Sequence, residues 1–154
     1  MTKKRLTTPL TPELCCSNIE TSLSFYMEVL GFKIQYQREE DGFAMLERQG
    51  ARIMLDAISK SFPIETKRSW ILGTLEVPFG RGINLEIKTD KINELYDRIR
   101  QSSTIIFLSI EDKWYRADDL ELGVRQFIVL DPDGYMLRFS QDIGERKIGT
   151  HTDK

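Results

Sequence analysis

The sequence predicts an α+β protein made of two βαβββ modules, and three observations carry that expectation. Apolar spacing changes from a period of two to a helical period and back, and does so twice along the chain. Glycine, proline and Asn/Asp residues stand at the changes. The second pass starts near the middle of the 154 residues, so Ile19 and Ile92 hold like places nearly half a chain apart. The repeat is one of order, not of letters.

In the first module, about residues 10–58, Glu13 to Ser17 reads as a short strand. Asn18 is a good helix cap, because its side chain accepts from an amide that the helix leaves unpaired. Ile19, Leu23, Tyr26, Met27 and Leu30 follow at helical spacing, and Gly31 supplies the stop. Phe32, Ile34 and Tyr36 alternate as a strand before the turn Glu39-Glu40-Asp41-Gly42. Phe43 to Glu47 and Ala51 to Ala57 are two more strands, parted by Gln49-Gly50. A linker without period, 59–81, contains Pro63, Pro78, Gly73 and Gly80.

The second module, about 82–141, repeats the order. Ile83, Leu85 and Ile87 alternate, Asp90 is read as a cap, and Ile92, Leu95, Tyr96 and Ile99 mark a helix. Thr104 to Ile110 is β-rich and is followed by a charged loop from Glu111 to Gly123. Val124 to Leu130 and Tyr135 to Phe139 are strands joined by the turn Asp131-Pro132-Asp133-Gly134. Beyond Gln141 the chain is polar and is expected to fray. One domain over 8–142 with a tail over 143–154 is the expected organisation.

The chain is 40% hydrophobic and 30% charged, as soluble folded proteins are. No stretch nears the roughly 20 apolar residues that span a bilayer. The basic residues near Met1 have no apolar run behind them, so no secretory signal is read and the cytoplasm is expected. A net charge of −2 and a pI near 5.5 argue against nucleic acid as a partner. Cys15 and Cys16 are adjacent, cannot close an ordinary disulfide with each other, and read as reduced structural thiols.

The segment Asn18 to Tyr26, followed by Val29-Leu30-Gly31-Phe32, resembles the first helix of vicinal-oxygen-chelate proteins. Asp131-Pro132-Asp133-Gly134-Tyr135 resembles their last hairpin, with Phe127 on the incoming strand. Lys113-Trp114-Tyr115-Arg116 and Pro78-Phe79-Gly80-Arg81-Gly82 resemble the bleomycin-resistance branch. The departures are Val124, one residue more than that branch carries after the glycine, and Leu122, where it carries a stacking Trp. The resemblance implies two curled, mostly antiparallel sheets forming a cup, with a helix behind each, in a homodimer whose clefts use both chains.

Carried over residue by residue, the family's metal-ligand positions fall on Thr11, Gly82 and Arg138. None is a usable donor, and arginine repels a cation. The only histidine, His151, stands in the polar tail, so neither metal nor other cofactor is expected. The resemblance places Glu13, Asn84, Glu86 and Arg138 on the cup face, where Glu13, Glu86 and Arg138 would meet. It places Leu14, Ile83, Leu85, Ile87, Leu137 and Phe139 against the helices. Phe79, Trp114, Tyr115 and Phe43 read as exposed loop aromatics suited to a flat guest, whereas Trp70 reads as a plug of the core or dimer seam, and the acids around them favour a cation. Arg125 completes the expected ligand set of Glu13, Phe43, Asn84, Glu86, Trp114, Tyr115, Arg125 and Arg138. The functional expectation is a non-catalytic protein that sequesters a cationic or aromatic drug-like ligand. The alternatives are a glyoxalase-type, metal-dependent lyase or transferase with Glu13 and Glu86 as relocated donors, and a degenerate module that only mediates protein contacts.

Overall fold

Residue 18 opens the first helix as its chemistry predicts. In the computed structural model, which describes residues 7–58 and 71–149, Asn18 Oδ1 accepts from the Thr21 amide at 2.9 Å. Strand β1 (Glu13–Cys16) precedes that cap and α1 (Ile19–Ser24) follows it. The last turn widens to a π-helical turn, Phe25–Val29, with the Leu30 amide reaching Phe25 O at 3.1 Å. Gly31, at φ 81°, ends it, and the Phe32 amide folds back onto Tyr26 O at 2.8 Å.

Three strands follow: β2 (Lys33–Arg38), β3 (Phe43–Arg48) and β4 (Ala51–Ala57). Between β2 and β3 the acidic turn forms a short 3₁₀ segment, Glu39–Asp41, closed by Gly42 at φ 64°. Gln49 and Gly50 both take positive φ, 48° and 90°, which is the twist a two-residue hairpin needs. The sheet order is β1-β4-β3-β2, with β1 parallel to β4 and the rest antiparallel. β3 is an inner strand, and its run Phe43-Ala44-Met45-Leu46 is buried at every position. These strands form one compact unit, to which Asp131–Tyr135 also belongs.

The second unit repeats the plan with β5 (Asn84–Lys88), α2 (Ile92–Arg100), β6 (Ile105–Ala117), β7 (Leu120–Leu130) and β8 (Met136–Lys147). Its order is β5-β8-β7-β6, with β5 parallel to β8. The βαβββ reading is therefore met twice, each time as a four-stranded mixed sheet with one helix. Ile87, Phe127, Val129, Leu137 and Phe139 are buried, as are Ile92, Leu95 and Ile99 of α2. Phe127 stacks on Phe139 at 5.5 Å between centroids and meets Tyr96 at 5.1 Å.

Four expectations need correction. The charged loop over 111–123 is instead the far half of a hairpin, for β6 runs to Ala117 and β7 starts at Leu120. Its charges suit strands because they pair across them: Arg125 with Asp112 at 2.7 Å on the neighbouring strand, and Arg146 with Glu121 at 2.6 Å. The tail does not leave the fold at Gln141, since β8 continues to Lys147 and pairs with β7 as far as Leu120. The cap of α2 is Lys91, in the left-handed region at φ 50°, and Gln141 Oε1 accepts from the Ile92 amide at 2.9 Å. Ile83 precedes β5 and is 61% exposed, so it does not join Ile87 in the helix-side core.

No helix of the described residues is long and apolar enough to cross a membrane.

Candidate polar site on the second sheet

Successive side chains of a strand point to opposite faces. In the second unit this alternation sends Ile87, Phe127 and Phe139 to the helix side, and leaves their neighbours Glu86, Gln126 and Arg138 on the other face. The register aligns them: Glu86 lies beside Arg138, Gln126 beside Ser140, and Glu111 beside Gln126. One row of polar side chains thus crosses β6, β7, β8 and β5.

The row is hydrogen-bonded throughout. Gln126 Nε2 donates to Glu111 Oε1 at 3.0 Å and to the Tyr115 hydroxyl oxygen at 2.7 Å. Gln126 Oε1 accepts from Arg138 Nη1 at 3.3 Å. Arg138 Nη2 reaches Glu86 Oε2 at 3.4 Å, and Ser140 Oγ donates to Glu86 Oε1 at 2.7 Å. Lys88 Nζ stands 3.5 Å from Glu86 and 2.6 Å from Asp142. The Ser140 bond, with the charges of Arg138 and Lys88, holds the Glu86 carboxyl below its ordinary range against partial desolvation. The Asp142 bond and the neighbouring carboxylates hold Lys88 above its own.

Of the eight ligand residues expected from sequence, four share this face: Asn84 and Glu86 on β5, Arg138 on β8 and Tyr115 on β6. Tyr115 is 42% exposed, and its oxygen is held by Gln126. Trp114 and Arg125 stand on the opposite face. Trp114 lies against Gly123, its partner in register, where a Cβ would come within 2.7 Å of the ring. The Arg146 guanidinium sits 4.2 Å from the Trp114 centroid, so the ring already holds a cation. Arg125 grips Asp112 with two bonds, 2.7 and 2.9 Å.

Glu13 and Phe43 belong to the first unit. Glu13 is half-buried at the start of β1, in register with Met54. Phe43 is not an exposed loop aromatic: it is 6% exposed at the start of β3, with the Arg38 guanidinium 3.9 Å from its centroid. Phe79 is likewise buried, edge-on to Tyr135 at 6.0 Å. Both rings fill packing positions because strand pairing and the Tyr135 contact draw them inward. Trp70 and His151 lie outside the described residues.

The first unit also holds a buried acidic cluster that sequence reading treated only as a turn. Asp131 Oδ1 accepts from the amides of Asp133 and Tyr135, both at 2.9 Å, and Oδ2 accepts from the Tyr26 hydroxyl at 2.9 Å. Asp133 Oδ2 accepts from the Ser17 amide at 3.1 Å, and the Tyr135 hydroxyl donates to Cys15 O at 3.0 Å. Desolvation outweighs these bonds and raises the Asp131 carboxyl to about 6. Burial, reinforced by the Asp133 charge, pushes the Cys16 thiol up to about 12, which leaves it unreactive as a nucleophile. The residue-type signal for this cluster was the second aspartate of the turn, one more acid than the turn requires.

The residues at the family's metal positions do not fit a divalent ion. Thr11 shares its hydroxyl with Thr8 at 3.0 Å, Gly82 offers no side chain, and Arg138 is committed to Glu86 and Gln126. Among the described residues no group of three or more His, Cys, Asp or Glu is placed to hold a metal ion.

Comparison with known proteins gives concordant results. Residues 8–139 match the family model described as "Glyoxalase/Bleomycin resistance protein/Dioxygenase superfamily". A bleomycin resistance protein of Geobacillus stearothermophilus is 30% identical over 134 residues, covering 86% of this chain and 95% of the relative, and one of Staphylococcus aureus matches equally. Among solved structures, TioX from Micromonospora sp. ML1 aligns with a TM-score of 0.64 at 17% identity, over 89% of this chain and 100% of that one. Integron cassette protein VCH_CASS1 from the mobile metagenome of V. Cholerae aligns with a TM-score of 0.62 at 19% identity, over 90% and 98%. At those identities the two structures speak to fold alone.

Proposed function

This chain belongs to the glyoxalase/bleomycin resistance protein/dioxygenase superfamily, and from that premise we propose that it is a small-molecule-binding protein which holds a drug-like ligand without transforming it. The observation that carries this reading is the ordered polar row on the second sheet. A site that is hydrogen-bonded before its guest arrives loses little entropy on binding. Fixed polar groups beside a part-exposed aromatic residue are also what orient a flat ligand. The relatives named bleomycin resistance proteins supply the ligand class, and the acids Glu86, Glu111 and Asp142 at the row suit a guest with cationic groups.

In this reading Asn84, Glu86, Tyr115 and Arg138 face the ligand, and Trp114 and Arg125 act from behind by stiffening the β6–β7–β8 arm. The protein then acts as a cytoplasmic homodimer, and Phe43, buried beneath Arg38, supports the fold of the first unit and not the ligand. The competing enzyme reading needs Glu86 as a metal donor, but both of its oxygens already accept bonds, from Ser140 and from Arg138.

The test is a mutational series read by titration with copper-loaded bleomycin. Glu86→Ala and Tyr115→Ala should each weaken binding about tenfold, the worth of one good polar or stacking contact. Trp114→Ala, folded to the same degree, should weaken it less than either. If both face variants bind as wild type does, the row is not the binding surface.

A further inference from the structure

Gln126 is 2% exposed and lies at the centre of the polar row, yet it is not among the eight ligand residues expected from the sequence. Its amide orientation has one solution. Arg138 only donates and the Glu111 carboxylate only accepts, so the oxygen must face Arg138 and the nitrogen must face Glu111. Turning the amide over would set donor against donor at 3.3 Å and acceptor against acceptor at 3.0 Å.

This has a consequence for Tyr115. The amide nitrogen has two hydrogens; one goes to Glu111 and the other to the phenol oxygen, 2.7 Å away. Tyr115 therefore accepts from inside the protein, and its own O–H hydrogen meets no acceptor among the described residues. That hydrogen is therefore not spent inside the described fold.

We propose that Gln126 is the positioning residue of this site: it fixes Tyr115 as a hydrogen-bond donor, so that the face selects ligands carrying a carbonyl, carboxamide or similar acceptor beside their aromatic part. The inference rests on the small-molecule-binding reading given above, and deepens it by naming what the ligand must carry. Arg138 and Glu111 set the amide, the amide sets the phenol, and the phenol reads the guest.

Two measurements separate this inference from the reading beneath it. The first needs no ligand. In a ¹⁵N-labelled sample, the Gln126 side-chain amide is identified by its loss in Gln126→Met. Both of its protons should exchange slowly, and one should shift and lose protection in Tyr115→Phe. An amide that exchanges freely, or is unmoved by Tyr115→Phe, overturns the positioning role. The second uses copper-loaded bleomycin, which carries several amide carbonyls. Tyr115→Phe should weaken binding about fivefold to tenfold in the wild-type background, the worth of one hydrogen bond. In a Gln126→Met background no amide hydrogen fills the phenol oxygen and Glu111 is left to accept the phenol proton internally, so the same change should cost less than twofold. Equal losses in both backgrounds overturn the donor assignment. Absence of any binding overturns the ligand assignment with the reading it rests on, and the amide spectrum still decides whether Gln126 fixes Tyr115.

Discussion

Replacing Asp131 by asparagine is expected to abolish the stability that this carboxyl contributes in mild acid. In the folded chain burial raises the Asp131 carboxyl to about 6, against an ordinary value of 3.8, and the Asp133 charge adds to the rise. Tyr26 on the first helix, Asp133 and Tyr135 in its own turn and Cys16 on β1 are the titratable groups around it. A group whose folded pKa is raised binds its proton more tightly when folded. Its contribution to stability is present in full below about pH 4 and is lost as the pH rises through about 6. Two units correspond to about 3 kcal/mol as an order of magnitude.

Asparagine removes the ionisation but keeps an oxygen for the two amides, and its NH₂ can donate to the Tyr26 oxygen. The difference in unfolding free energy, variant minus wild type, should therefore rise by about 2–3 kcal/mol between pH 4 and pH 7.5. Urea titrations at a series of pH values read this directly. A difference that is flat with pH would show that Asp131 is not the titrating group. Asp131→Ala offers no acceptor to three donors and should be less stable than asparagine at every pH, by about 3 kcal/mol at pH 5.

Phe127→Ala should be the most destabilising single truncation in the second unit, at about 3–5 kcal/mol. The ring is fully buried, stacked on Phe139 and against Tyr96 of α2, so its loss opens a cavity on the helix side of the sheet. For a chain of this length that is a fall in melting temperature on the order of 10 °C. Phe127→Leu, which refills most of the space, should cost less than half as much. A loss below about 1 kcal/mol for alanine would mean that the helix does not depend on this ring.

Fold class was legible because the code for it is local. Asn18 caps, Gly31 stops, Gln49-Gly50 turns, and alternation marks the strands, each within a few residues. Misreadings came where a distant partner decides the outcome. Residues 111–123 are too charged for a strand by composition, and become one because Asp112 meets Arg125 and Glu121 meets Arg146 across the sheet. Residues 141–147 look like a tail until β7 is long enough to pair with them. Phe43 looked exposed because it follows an acidic turn; Arg38, folded over its ring, was not predictable from spacing.

The site was legible in part for the same reason. The resemblance together with strand parity put Glu86 and Arg138 on one face, and the register between β5 and β8 sets them side by side. Parity also parts Trp114 from Tyr115, and the sequence reading lost that by taking them as loop residues. The roles of Gln126 and Asp131 are not legible in the sequence because they lie in what these residues accept and donate across the fold: Asp131 meets a hydroxyl from residue 26, and Gln126 a guanidinium from residue 138.

The most direct test of the binding reading is calorimetric titration of the wild-type protein with copper-loaded bleomycin. Sequestration predicts saturable heat near one ligand per chain, with a Kd at or below about 1 μM, equivalent to roughly −8 kcal/mol. It also predicts a rise in melting temperature when the ligand is in excess. No heat and no stabilisation at ligand concentrations up to about 1 mM, where even a −4 kcal/mol interaction would register, would contradict it.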